Sequence, residues 1–280
     1  MMQEPRSQND YAGRETEAAH RVLLDLGQVI GSYFADGVVL VGGWVPSLLL
    51  PDATEGHVGS IDVDLALNPQ HLRDGRYAEI VKSLLATKRY RQADQQFKLQ
   101  AEVDLHDGAT PVVVDVDFLK PHERRRGKRL RHIENFRPLD ADGCAAAFVR
   151  PSRLKIEGMS LAGYKNRVAI AVASIEDFLV MKSFALAGRD KPKDAYDICY
   201  CLEHAPGGPD ALGHAWRTRR AEDDVLTAIA HLRDKFESVD SFGPQQVASF
   251  YDAAAEAVRG IHARRAFELV RRFLAAADHG

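Results

Sequence analysis

Apolar positions spaced three and four residues apart mark the first element of the chain. Val22, Leu26, Val29, Ile30 and Phe34 line one face of a helix predicted over residues 14–34. Asp36-Gly37 ends it, and the unbroken apolar run Val38 to Val41 reads as a short buried strand. Gly42-Gly43 stops that strand, and a helix is predicted from Trp44 to Leu50, since Pro46 is tolerated in a first turn. After a polar loop over residues 51–59, Ser60 to Leu67 (SIDVDLAL) alternates polar and apolar, as a strand with one wet face does. An amphipathic helix is predicted over residues 71–88. Two strands follow over residues 97–105 and 111–119, joined by the turn His106-Asp107-Gly108. Shorter strands are predicted at residues 154–157 and 168–172. From Ser174 onward the pattern is helical, punctuated at Gly207-Gly208-Pro209 and at Ser241 to Pro244. The expected organisation is a flexible tail over residues 1–12, a mixed α/β core over 13–173 and a helical C-terminal domain over 174–280.

Composition narrows the setting. The chain has 280 residues with 37 Lys plus Arg against 40 Asp plus Glu, a formal net charge of -3. With 45% hydrophobic and 28% charged residues it matches average globular proteins, which excludes a disordered or fibrous chain. Cys144, Cys199 and Cys201 do not form a disulfide framework, so a reducing, cytoplasmic compartment is expected. The first 20 residues carry no apolar secretion-signal core. The most apolar stretch, Val38 to Leu50, is interrupted by Gly42, Gly43 and Pro46 and falls short of the roughly 20 residues a membrane span needs. No membrane partner is expected.

Three groups of residues suggest chemistry. Gly42-Gly43 after a buried strand allows close approach of the backbone to a phosphate, or serves only as a tight turn. Asp62 and Asp64, two apart on a strand, share a face at roughly 6.6 Å spacing. Paired carboxylates of this kind suit Mg²⁺, which is commonly held by one or two carboxylates plus substrate phosphates; the alternative is a solvated strand face. Asp115 and Asp117 repeat the pattern on a later apolar strand, and a third carboxylate from there would complete a two-metal cluster. One of this later pair is expected to cap a strand edge or bind a neighbouring basic group instead.

Together these elements resemble the nucleotidyltransferase superfamily, with a Gly-Gly after a strand, an acid-x-acid strand and a third acid on a later strand. The matching residues are Gly42, Gly43, Asp62, Asp64 and Asp117. Asp117-Phe118-Leu119 fits the family's acid followed by two apolar residues better than Asp115 does, and Asp115 is the alternative. Residues 178–199 (FLVMKSFALAGRDKPKDAYDIC) further resemble the helical segment of the AbiEii-like nucleotidyltransferases, which include toxins of bacterial toxin–antitoxin and phage-defence systems. The residues concerned are Lys182, Arg189, Lys193, Asp194 and Asp197, and Ser60 resembles that family's Ser/Thr two residues before the first acid. The alternative for this segment is an ion-pair lattice that docks the helical half onto the sheet.

The resemblance implies an α+β fold with a polymerase-beta-like mixed sheet, followed by the helical domain. It implies NMP transfer from an NTP to an acceptor hydroxyl, the 3′ end of tRNA being the expected acceptor, and a cognate antitoxin. Asp62, Asp64 and Asp117 would bind Mg²⁺, with Mn²⁺ as the alternative. Gly42, Gly43, Ser60, Lys182 and Arg189 would hold the NTP, and Asp194 would support catalysis or positioning. Alternative readings are transfer to a small molecule such as an aminoglycoside, transfer to a protein side chain, or an inactive interaction module of the same fold.

A basic segment over residues 120–137 holds Arg124, Arg125, Arg126, Lys128, Arg129 and Arg131. Such a run contacts successive nucleic-acid phosphates, or is simply a solvated face. Arg217, Arg219, Arg220, Arg264, Arg265, Arg271 and Arg272 are expected to add basic surface among the late helices. His57, in the polar loop before the acid strand, is expected to be solvated, with approach to substrate as the alternative.

Overall fold

The structure is a computed structural model that describes residues 5–11, 13–72, 75–122 and 136–278. In chain order the elements are α1 (Gly13–Val29), α2 (Gly31–Phe34), β1 (Val38–Val41), α3 (Trp44–Leu49), β2 (Val63–Leu67), α4 (Arg76–Ala86), β3 (Tyr90–Gln92) and β4 (Lys98–Val103). They continue with β5 (Val112–Pro121), β6 (Leu139–Ala141), β7 (Ser152–Met159) and β8 (Lys165–Val172). The later helices are α5 (Ile175–Gly188), α6 (Pro192–His204), α7 (Gly208–Arg217), α8 (Asp223–Lys235), α9 (Phe242–Phe250) and α10 (Glu256–Asp278).

The chain divides into two compact units. One comprises Ala12–Val45 and Gly59–Ser174; the other comprises Met1–Tyr11, Pro46–Val58 and Ile175–Gly280. Two segments that sequence pattern assigned elsewhere therefore belong with the helices. Residues 5–11 are not a frayed tail: Gln8–Asp10 forms a 3-10 turn, Arg6 pairs with Asp190 at 3.2 Å, and Tyr11 packs on Phe250. The polar loop before the acid strand packs Ala53 and Val58 against Tyr196, Tyr200 and Phe250.

In the α/β unit the strands form a mixed sheet in the order β3-β4-β5-β2-β1-β8-β7, with β6 paired to β5. Pairs β2–β5, β1–β8 and β5–β6 run parallel, and β1–β2, β3–β4, β4–β5 and β7–β8 run antiparallel. Side chains alternate between faces, so register decides what meets on each. Leu40, Leu65, Phe118 and Val172 share the apolar face, where α1 packs across the sheet. Close approach needs Gly27, because a Cβ there would stand 2.5 Å from Val168 Cγ2. The opposite face carries Val41, Asp64, Asp117 and Lys98 in lateral register. The strands predicted at residues 154–157 and 168–172 are parts of one longer hairpin, and the predicted first helix breaks after Val29.

In the helical unit α5 is apolar on most sides and buries Phe178, Leu179, Val180 and Leu186 against α6 and α8, the pattern of a central helix. Arg219 is buried in an ion pair with Asp177 at 2.7 Å. No helix among the described residues is long and apolar enough to cross a membrane.

Candidate active site

The acid cluster is built on β2, β5 and the turn that follows β1. Asp64 and Asp117 are direct partners in the parallel β2–β5 pairing, so both carboxylates project from one face of adjacent strands. Asp62 lies just before β2 rather than within it, because the strand begins at Val63. Its position comes from two bonds. The Trp44 indole donates to the Asp62 backbone carbonyl at 2.9 Å, and the Ser60 hydroxyl donates to Asp62 Oδ1 at 2.5 Å. Ser60 is buried and its hydroxyl orients the first acid. That is a different task from the phosphate contact expected of it.

Gly42 has a steric reason to be glycine. Its φ is +72°, and a Cβ there would stand 1.9 Å from Asp64 Oδ2. The Asp64 carboxylate thus lies against the bare backbone at the end of β1. Gly43 completes the turn into α3.

The later acid pair is now divided. Asp115 is held by Lys98 Nζ at 2.6 Å and by Gln100 Nε2 at 3.0 Å. Asp117 stands 3.5 Å from Lys98, and its buried Oδ1 accepts no hydrogen bond. Burial pushes its carboxyl up to about 6; the Lys98 charge opposes this, while Asp62 and Asp115 add to it. Lys98 thus faces both acids and holds Asp115 the more closely. Lys98 was not anticipated from sequence, because its position opposite Asp117 depends on the antiparallel register of β4 with β5.

A divalent cation suits this donor set. Among the described residues no three His, Cys, Asp or Glu side chains converge as a ready-made metal cluster. Asp64 and Asp117 nevertheless offer hard oxygens side by side, one of them buried without a hydrogen bond, and Mg²⁺ needs only one or two carboxylates beside phosphates.

The second group of predicted residues sits in the helical unit. Lys182 of α5 lies 2.7 Å from Asp194 Oδ1 and 2.8 Å from Asp197 Oδ2, both on α6. Arg189 grips Asp194 with two bonds, Nε to Oδ2 at 2.7 Å and Nη2 to Oδ1 at 3.0 Å. Lys193 reaches Asp197 at 2.8 Å. Three cations thus surround two carboxylates, and the cluster carries a net positive charge. Burial disfavours every charge here, but mutual attraction outweighs it: the Lys182 ammonium is held above its usual range and both carboxyls below theirs. Lys182 is only 10% exposed, whereas 53% of the Arg189 side chain is exposed. These ion pairs join α5 to α6 within the helical unit, which differs from the lattice docking that unit onto the sheet considered from sequence.

His57 is not solvated. Its ring is buried, stacked on Tyr196, with Nε2 2.9 Å from Asp197 Oδ1 and Nδ1 3.0 Å from Ser47 Oγ. Burial lowers its pKa to about 4, the Lys193 charge contributing in the same direction against the pull of Asp197.

Arg124, Arg125, Arg126, Lys128, Arg129 and Arg131 lie outside the described residues. Five of the seven late-helix arginines are paired with acids. Arg219 holds Asp177 and Glu222, Arg220 approaches Asp278, Arg265 pairs with Glu203, Arg271 with Glu268 and Arg272 with Asp210.

A mixed sheet with Gly-Gly at the end of one strand and in-register carboxylates on its neighbours is the arrangement of a nucleotidyltransferase. The family model of the nucleotidyl transferase AbiEii toxin of type IV toxin–antitoxin systems matches residues 36–268, and the chain belongs to that family. No curated protein matches the chain.

Proposed function

We propose that the chain is a Mg²⁺-dependent enzyme that moves an NMP from an NTP to the 3′-terminal hydroxyl of tRNA, arresting growth until a cognate antitoxin opposes it. The observation that carries this reading is the lateral register of Asp64 with Asp117, with one buried Asp117 oxygen that accepts no hydrogen bond. Asp62, Asp64 and Asp117 would hold the metal, which would supply charge neutralisation to the triphosphate. Asp117 is the candidate group to take the acceptor's proton. Ser60 and Trp44 orient Asp62, and the Gly42-Gly43 turn admits a phosphate close to the backbone. Arg189 is the exposed cation of the helical cluster, and the family resemblance associates it with NTP binding. Lys182, with Asp194 and Asp197, fixes that arginine's surroundings as a positioning group. The acceptor oxygen attacks the α-phosphorus, the bond to the bridging oxygen breaks, and pyrophosphate leaves.

The direct test incubates the protein with each NTP radiolabelled at the α-phosphate, Mg²⁺ and total tRNA. Label on tRNA that disappears with Asp62→Ala and with Asp64→Ala is expected. Label that survives both substitutions overturns the site, and label on a small molecule or on protein moves the acceptor. One observation favours a non-catalytic module instead: Lys98 already neutralises the acids on β5. Protein that binds neither Mg²⁺ nor any NTP supports that reading.

A further inference from the structure

Lateral register links the acids to a second surface of the same α/β unit. Leu40 on β1 is level with Val172 on β8, so the residues of β8 on the face of Val41 and Asp64 are Ala171, Ala169, Arg167 and Lys165. Their β7 partners are Arg153, Lys155, Glu157 and Met159. The opposite face of this hairpin is taken by α1, where Gly158 meets His20 and Leu24. On the acid face Arg153, Lys155, Lys165, Arg167 and Ala169 are all exposed.

The charges of this patch are poorly compensated. Glu157 pairs with Arg167, and Arg153 donates one bond to the Ala35 carbonyl. The Lys155 and Lys165 side chains make no ion pair with any described residue. Four cations against one carboxylate leave an excess of three positive charges. Five of the late-helix arginines, in contrast, face an acidic partner.

Distance indicates what such a patch serves. Strand spacing of about 4.8 Å and a rise of about 3.3 Å per residue put these cations roughly 15 to 30 Å from Asp64. A mononucleotide held at the acids does not reach them, and neither does a small acceptor. A polynucleotide whose terminus lies at the acids does, because it carries a phosphate at every step.

We propose that the exposed face of the β7–β8 hairpin, with Arg153, Lys155, Lys165 and Arg167, binds the phosphodiester backbone of the RNA whose end is modified. Ala169 keeps the floor between the cations low, so the backbone approaches without steric obstruction. The inference rests on the RNA-acceptor reading above and adds the surface that selects a long polyanion over a small hydroxyl compound.

The experiment measures binding of a tRNA transcript by fluorescence anisotropy across a salt series, without NTP or metal, so that catalysis plays no part. Each lost phosphate contact on single-stranded RNA lowers the salt slope by about 0.7. Lys155→Gln/Lys165→Gln is expected to weaken binding about tenfold or more and to reduce the slope by about 1.4. Lys82→Gln, on the exposed side of α4, serves as the control and is expected to leave both unchanged. Thermal melting confirms that each variant is folded. Wild-type protein that binds RNA with a slope the hairpin variant shares overturns the hairpin assignment and leaves the RNA reading intact. Wild-type protein that binds no RNA overturns both.

Discussion

Asp64 Oδ2 occupies the space that a side chain on Gly42 would need: a Cβ there would stand 1.9 Å from it. The glycine and the acid are therefore one steric unit, although 22 positions separate them in sequence. Gly42→Ala must also hold a φ of +72°, which costs a non-glycine residue about 1–2 kcal/mol. The expected outcome is a folded protein less stable by about 1–3 kcal/mol. Nucleotidyl transfer should fall about a hundredfold or more, because Asp64 is displaced. Urea unfolding and the labelling assay on the same preparation check this. Full activity would show that Asp64 need not lie against that turn.

Asp115 and Asp117 should separate in the same pair of measurements. Asp117 is crowded by Asp62 and Asp115 and is poorly bonded, so a neutral isostere relieves repulsion. Asp117→Asn is expected to abolish transfer while leaving the melting temperature unchanged or higher, the trade-off common where function needs an uncomfortable group. Asp115→Asn removes the main partner of Lys98 and should lower stability by about 1 kcal/mol while retaining transfer within about tenfold. The reverse ranking of activities would make Asp115 the metal ligand.

Lys182 is a hazardous residue to mutate as a test of catalysis. Removing its charge leaves Asp194 with Arg189 and Asp197 with Lys193 and His57, all in buried surroundings. Lys182→Met is expected to destabilise by about 3–5 kcal/mol, the usual cost of leaving buried charge undercompensated. Lys182→Met/Asp194→Asn should lose less than the sum of the two single variants, with a coupling of about 1–3 kcal/mol in a chemical-denaturation cycle. Additive losses would show that the two side chains do not depend on each other.

Much of the sheet was legible because a strand's alternation is local. The run Val38 to Val41 and the pattern of Val63 to Leu67 determine which side chains face the core. The pairing of Asp64 with Asp117 was foreseeable in kind, since both sit on apolar strands. Its register was not, and neither was Lys98, because register arises between strands distant in sequence. His57 was misjudged for the same reason. A histidine in a polar loop looks solvated until Asp197, 140 positions later, is brought against it. Residues 5–11 read as a tail because their anchors, Asp190 and Phe250, are remote.

The burial of His57 gives the helical unit an acid sensitivity with a definite sign. Its folded pKa is about 4, below the value of 6.5 for an exposed histidine. Above pH 6.5 the ring is neutral in both folded and unfolded chains and contributes no pH dependence. Between pH 6.5 and about 4 the unfolded chain takes up a proton that the folded chain refuses, so stability falls with pH across that window. The slope is about 1.4 kcal/mol per pH unit, for a total near 3 kcal/mol. Asp194 and Asp197, whose folded pKa values are lowered, lose their contribution only further into acid, below the usual carboxylate range. His57→Gln cannot titrate, and its amide can replace at most part of the bonding to Ser47 and Asp197. Urea unfolding at pH 6.5 and pH 4.5 should therefore show a smaller loss for His57→Gln than for the wild type, by about 2–3 kcal/mol. Equal losses in the two proteins would place a protonated, charged His57 inside the fold and remove this source of acid sensitivity.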